Sequence, residues 1–166
     1  MENFYIFLDI DGVLWDKAFA EENQISILDA ENFYFKPESM QALNYIISNV
    51  SNDYNPVLVL SSDWRLRREH FNYIAHLLNK SGLEYCGIME KTPRRFSRGQ
   101  EIYAYLKKHK EFKNYLVIDD NVTTIKGYVD HDKIIQTDGV TGALSLKQAE
   151  QFVKDFNKVY GYQDIK

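Results

Sequence analysis

Three short apolar runs, each stopping abruptly at polar residues, constrain this chain more than any other feature. Residues 3–10 end in Asp9-Ile10-Asp11-Gly12, residues 57–60 in Ser61-Ser62-Asp63, and residues 115–118 in Asp119-Asp120-Asn121. The runs are continuous rather than alternating. A strand with one face in water alternates polar and apolar residues, whereas a strand covered on both faces does not. The three runs are therefore expected inside a parallel sheet, covered by helices on both faces.

The segments between them fit that expectation. Pro37-Glu38-Ser39 opens a helix in which Met40, Leu43, Ile46, Ile47 and Val50 recur at helical spacing. A second helix is expected over 66–80, with Phe71, Ile74, Leu77 and Leu78 on one face and Ser81-Gly82 ending it. A third runs from about 99 to 110 and a last from 145 to 160. Short strands are expected at 85–89 and 133–136. Residues 51–56 and the basic stretch 91–97 read as loops, and 15–35 as irregular chain. No linker, repeat or low-complexity stretch interrupts the sequence. The expected fold is α/β, a Rossmann-like parallel sheet in one domain over residues 1–166, with only a small flap at about 13–36.

Composition narrows the function. A chain of 166 residues can bury a core without metal or disulfide staples. The net charge of −4 argues against a general nucleic-acid binder. Yet every arginine falls in one third of the chain: Arg65, Arg67, Arg68, Arg94, Arg95 and Arg98. Cys86 is the only cysteine, so no internal disulfide forms, and its apolar neighbours suit a core position. The 12 tyrosines and 10 phenylalanines are read as packing residues. The first residues lack a basic and then apolar leader, and no run is long enough to span a membrane, so a cytoplasmic location is expected.

Ligands of open parallel sheets bind beyond the carboxyl ends of the strands. Asp9, Asp11, Ser61, Ser62, Asp119 and Asp120 would all emerge there. Singly, each motif has a plain alternative: a turn, a helix cap, a solvated loop. Their conjunction at three strand ends points to a site. Four carboxylates at one edge repel unless a cation joins them, and hard oxygen ligands suit Mg2+. In an extended segment Asp9 and Asp11 point to the same side. One can attack phosphorus while the other handles a proton, a division suited to phosphoryl transfer.

These residues resemble the haloacid dehalogenase (HAD) superfamily of phosphatases. Its Asp-x-Asp-Gly turn stands here as FLDIDGVL, its strand-ending serine as VLVLSSDWR, its basic residue at a helix start as SRGQEIYAYL, and its acidic pair as YLVIDDN. The likeness extends to small HAD domains associated with bacterial RNA-repair proteins, through LDIDGVL, S-S-x-W-R, R-x-x-E-I and the tail TDGVTGALS. The resemblance implies that Asp9 is the nucleophile and Asp11 the general acid and base. Ser61 would bind a phosphoryl oxygen, or Ser62 if the strand ends one residue later. Arg98 would neutralise the transferring group, with Arg94, Arg95 and Lys91 as alternatives. Asp9, the Asp11 carbonyl and Asp120 would hold Mg2+, with Asp119 close by. Gly12, Ser62 and Arg65 are the expected substrate contacts.

The sequence leaves no room for a cap domain, so the site is expected to be open and able to admit a large substrate. The leading reading is a Mg2+-dependent phosphomonoesterase for a nucleotide or nucleic-acid-end phosphate, with Arg65 gripping a neighbouring phosphate. The alternatives are a phosphoprotein or small-metabolite phosphatase, and a phosphate-binding module without turnover. A receiver-like domain fits the Asp-x-Asp-Gly turn poorly. No membrane partner is expected.

Overall fold

The computed structural model describes residues 1–85 and 89–160. Its strands are β1 (Asn3–Leu8), β2 (Asn55–Leu60), β3 (Met89–Lys91), β4 (Tyr115–Asp119) and β5 (Ile134–Gln136). They form one sheet in the order β3-β2-β1-β4-β5, and every pairing is parallel. The helices are α1 (Lys17–Asn23), α2 (Pro37–Val50), α3 (Arg68–Lys80), α4 (Arg98–His109) and α5 (Leu146–Tyr160).

Two cores explain why β1 is apolar from Phe4 to Leu8. Phe4, Ile6 and Leu8 project to one face, where they join Leu43 and Ile46 of α2, Ile74 and Leu77 of α3, and Phe156 of α5. Tyr5 and Phe7 project to the other and meet Ile102, Tyr105 and Leu106 of α4, with Ile125 and Val129. A strand buried on both faces has no position left for a polar residue until it ends. It lies at the centre, with Leu8 level with Leu60 of β2 and with Ile118 of β4. The next residues along each strand, Asp9, Ser61 and Asp119, therefore share one edge of the sheet. The chain leaves β1 toward β2 on one side and returns to β4 on the other, which opens a crevice above β1.

The sequence expectations need three adjustments. The stretch read as irregular contains α1, because Asp16 caps it by accepting the N–H of Phe19 at 2.8 Å. The described third strand is Met89–Lys91, and most of the strand expected at 85–89, with Cys86, falls outside the described residues. The second long helix starts at Arg68, after a 3-10 turn over Asp63–Leu66.

The segment between Gly12 and Pro37 is short and fastened down. Phe33, Phe35 and Ile27 are buried in the larger core. Lys80 donates to the carbonyls of Ala30 and Glu31, and the Phe35 N–H donates to Ser81 Oγ. Buried Asp16 accepts from the Ala143 N–H at 3.1 Å and pairs with Lys36 at 3.0 Å. One carboxylate thus ties α1, the start of α2 and the approach to α5. Among the described residues no helix is long and apolar enough to cross a membrane.

Burial pushes the Asp16 carboxyl up, but the N–H groups of Phe19 and Ala143 and the Lys36 ammonium outweigh it, so the net shift is downward. A lowered folded-state value gives stability that is present above the unfolded value of about 3.9 and is lost as pH falls through the folded one. Asp16→Ala is expected to cost about 2–4 kcal/mol at neutral pH, since it strands Lys36 and two N–H groups. The gap to the parent should hold above about pH 5 and narrow below about pH 4, as measured by urea denaturation across that range.

Candidate active site

Asp9 follows β1 directly and is held by its own N–H, which donates to the Ile118 carbonyl at 3.0 Å. Asp119 ends β4 and Asp120 follows it. Each of these three carboxylates offers an oxygen within 4.8 Å of the others'. Arg98 is the first residue of α4, and its Nη1 lies 2.7 Å from Asp119 Oδ2 and 3.3 Å from Asp9 Oδ1. One guanidinium therefore serves two buried carboxylates, and Asp120 has no such partner among the described residues.

The charge balance is unfavourable without a further cation. Burial and the neighbouring Asp9 push the Asp119 carboxyl up to about 7, with Arg98 only partly offsetting them. Burial and Asp9 also raise Asp120. Burial disfavours the charged guanidinium of Arg98, yet Asp9, Asp119, Asp63 and Glu101 together push its value up. Three converging carboxylates with one cation between them are a donor set that suits a hard divalent ion.

Asp11 stands apart from that trio. It is exposed, and its side chain is clamped by two indoles: Trp15 Nε1 donates to Oδ1 at 3.0 Å and Trp64 Nε1 to Oδ2 at 2.9 Å. Although it reaches solvent, crowding by the surrounding protein and the charge of Asp9 raise its carboxyl, against the lowering effect of the indole N–H groups. Three of the four expected carboxylates converge, and the fourth is held beside them by tryptophans. Trp15 and Trp64 carry no role in the sequence reading. The S-S-x-W-R element contained Trp64, but nothing in its spacing showed where the indole would point.

Two glycines shape the seat of Asp120. Gly12 has φ +76°, and a Cβ there would lie 2.3 Å from Asp120 Oδ2. A Cβ on Gly139 would lie 2.5 Å from the same oxygen. Gly139 sits in a tight loop whose ends, Asp138 and Gly142, exchange backbone hydrogen bonds at 2.8 and 3.0 Å. The TDGVTGALS tail thus closes over the acidic pair, a role its sequence alone did not assign. The Gly12 carbonyl accepts from Thr137 Oγ1 at 2.7 Å, which fastens the Asp-x-Asp-Gly turn to the end of β5.

Of the expected substrate contacts, Arg65 needs correction. Arg65 is only 2% exposed. Its Nη1 donates to the carbonyls of Ser61 and Ser62, its Nε to that of Thr92, and its Nη2 lies 2.5 Å from Glu101 Oε2. The 3-10 turn carries it inward, between the ends of β2 and β3, so it cannot grip a substrate phosphate. Ser62 and Gly12 are buried and, like Ser61 and Asp11, stand beside rather than among the residues that line the cleft. Ser61 is buried too, and its hydroxyl has no partner among the described residues. Of the alternatives to Arg98, Lys91 lies over the Phe71 ring, while Arg94 and Arg95 are exposed.

Above these groups lies a cleft of about 590 Å3, lined by Asp9, Arg98, Asp119 and Asp120 and by the loop from Arg94 to Ser97. The family model for the HAD domain in Swiss Army Knife RNA repair proteins matches residues 5–149. The chain belongs to this family. No curated protein and no solved structure matches it. Membership gives this HAD domain a phosphatase-like hydrolase function in general terms, and HAD domains generally use Mg2+. The match reaches from within β1 to the first turn of α5, so it takes in every residue of the trio, Arg98 and the Gly139 loop.

Arg65→Ala would leave Glu101 buried without its closest cation. We expect the HAD domain to lose about 3–5 kcal/mol, the usual cost of breaking a buried pair from one side. Thermal or urea unfolding measures it. Any activity that survives should fall alike for large and small substrates, because the residue acts through the architecture.

Proposed function

We propose that this HAD domain is a Mg2+-dependent phosphomonoesterase working through an aspartyl-phosphate at Asp9. The observation that carries the reading is the trio of Asp9, Asp119 and Asp120 around one arginine at the end of a central parallel strand. Asp9, Asp119 and Asp120 would hold the metal, whose charge would offset the surplus of carboxylates and that of the phosphoryl oxygens. An Asp9 oxygen attacks phosphorus, forming the acyl-phosphate bond as the bond to the leaving oxygen breaks. Asp11 gives its proton to that leaving oxygen. It then takes one back from the water that attacks the phosphoaspartate, which releases phosphate and restores the Asp9 carboxylate and the protonated Asp11. Arg98 balances the charge that Asp9 and the transferring group share. The unpartnered hydroxyl of Ser61 supports a role for it as a donor to a phosphoryl oxygen.

The indole clamp suits the proton steps. An indole N–H donates and cannot accept. Trp15 and Trp64 therefore orient Asp11 without competing for its proton, and the leaving oxygen is left as the acceptor. For the substrate we favour a phosphate on a nucleotide or a nucleic-acid end, supported by the open cleft and its exposed arginines. Phosphoproteins and small metabolites are the competing class.

A phosphate-release assay tests the scheme. Activity should vanish with excess chelator and return with Mg2+. Asp9→Asn should abolish turnover, and Asp11→Asn should slow it by about 10²–10⁴-fold. Chelator-resistant turnover, or a phosphoryl group trapped elsewhere than on Asp9, would refute it. Trp64→Phe keeps the bulk and loses the N–H. It should lower kcat/KM more for an alkyl phosphate than for an aryl phosphate, whose better leaving group needs less help from Asp11. Equal losses would mean that the indole only supports the fold.

A further inference from the structure

One wall of the cleft contains none of the groups assigned to chemistry. Arg94, Arg95 and Phe96, on the loop between β3 and α4, line the same cleft as Asp9 and Arg98. All three are exposed, Phe96 completely. Leu66, also exposed, lines the cleft as well. A single exposed phenylalanine needs no explanation by itself. Here, however, the backbone fixes it in place. At the loop's start the Thr92 N–H donates to the Leu60 carbonyl at 3.1 Å, and the Thr92 carbonyl accepts from buried Arg65. In the middle, the Arg95 N–H donates to Glu101 Oε1 at 3.1 Å. At the end, Ser97 caps α4 through the Gln100 N–H. The residues that carry the loop are tied to the core, and only its side chains face solvent.

The charges on this wall differ from those of the other arginines at the site. Arg65 and Arg98 are both ion-paired to buried acids. Among the described residues neither Arg94 nor Arg95 forms an ion pair; the Arg95 guanidinium donates only to the Arg94 carbonyl, at 2.8 Å. Two uncommitted guanidiniums and an open aromatic face thus stand together beside the nucleophile. Guanidinium groups take phosphate oxygens, and an exposed ring takes the face of a base. Phosphate next to base is the repeating unit of a nucleic-acid strand. A phosphopeptide offers anions for the arginines but no regular partner for the ring.

We propose that Arg94, Arg95 and Phe96 form a nucleotide subsite beside the reacting phosphate. The base next to the scissile phosphate stacks on Phe96, and Arg94 and Arg95 hold the neighbouring phosphodiester. This deepens the phosphatase reading and rests on it. It also transfers the large-substrate role that the sequence suggested for Arg65 to residues that face the cleft.

The test uses the intact chain with Mg2+ and four kinds of probe. These are dinucleotides phosphorylated at the 3′ or the 5′ end, their abasic counterparts, ribose 5-phosphate, and a phosphoserine peptide. The quantity read is a ratio of kcat/KM values within one protein, so a general loss of activity cancels. Phe96→Ala should lower the ratio of a dinucleotide to its abasic counterpart about tenfold, which corresponds to about 1.4 kcal/mol and to the loss of one stacked base. Phe96→Tyr should restore it. The double variant Arg94→Ala, Arg95→Ala should lower the ratio of dinucleotide to ribose 5-phosphate and flatten its dependence on salt. An unchanged ratio in Phe96→Ala would overturn the proposal, as would a parent enzyme that prefers the phosphopeptide. The underlying reading is checked separately: ribose 5-phosphate turnover that disappears in Asp9→Asn upholds the phosphatase whatever Phe96 does. Turnover that persists in Asp9→Asn sinks both.

Discussion

The sharing of one guanidinium between Asp9 and Asp119 is the interaction on which the rest of the structure turns. Parallel strands bring their carboxyl ends to one edge, so acidic residues there are forced together whatever their mutual repulsion. Arg98 relieves part of it, at 2.7 and 3.3 Å, from the first residue of α4. A side chain at a helix start is positioned only as well as its helix. Glu101, one turn on, fixes that helix by pairing with buried Arg65 at 2.5 Å. Arg65 in turn binds the carbonyls that end β2 and follow β3. The chain of contacts runs from sheet to arginine to glutamate to helix to arginine to Asp9. It has alternating charge at each step, which is how a fold keeps several buried ions at tolerable cost.

A second layer of support comes from groups without charge. Gly12 and Gly139 leave room for Asp120 that any side chain would fill. Trp15 and Trp64 hold the two oxygens of Asp11 from either side. These contacts join four parts of the chain: the turn after β1 with the residues just beyond it, the 3-10 turn after β2, the end of β4, and the loop before α5. The site is thus a meeting of loops over a rigid sheet, as expected where strands supply the positions and loops the chemistry.

What could be read from the sequence follows from what sequence patterns encode. The sheet was legible because burial on both faces removes polar residues from β1, β2 and β4, and the trio was legible because polar residues return at the strand ends. The order of motifs made Arg98 the first candidate with Lys91, Arg94 and Arg95 left open, and only the structure sets it beside Asp9 and Asp119. Arg65 was misjudged for a physical reason. Its position beside Ser61-Ser62 said that it was near the site, but proximity along a chain does not give direction. The 3-10 turn over Asp63–Leu66 rotates it into the core, and no periodicity in four residues predicts that. The same holds for Trp15 in a stretch of mixed aromatic and acidic residues, and for Gly139, whose importance lies in what it does not touch.

The buried phenylalanines of the segment between Gly12 and Pro37 bear on how the cleft is reached. Many hydrolases open and close a lid in each catalytic cycle, and that motion sets their turnover. Here the segment nearest that role is part of the hydrophobic core through Phe33 and Phe35. Swinging it away would expose both rings, at roughly 1.5–3 kcal/mol each. The population in such a state would be about one molecule in a hundred or fewer. The cleft lined by Asp9 and Arg98 is therefore reached without displacing this segment, none of whose residues lines it.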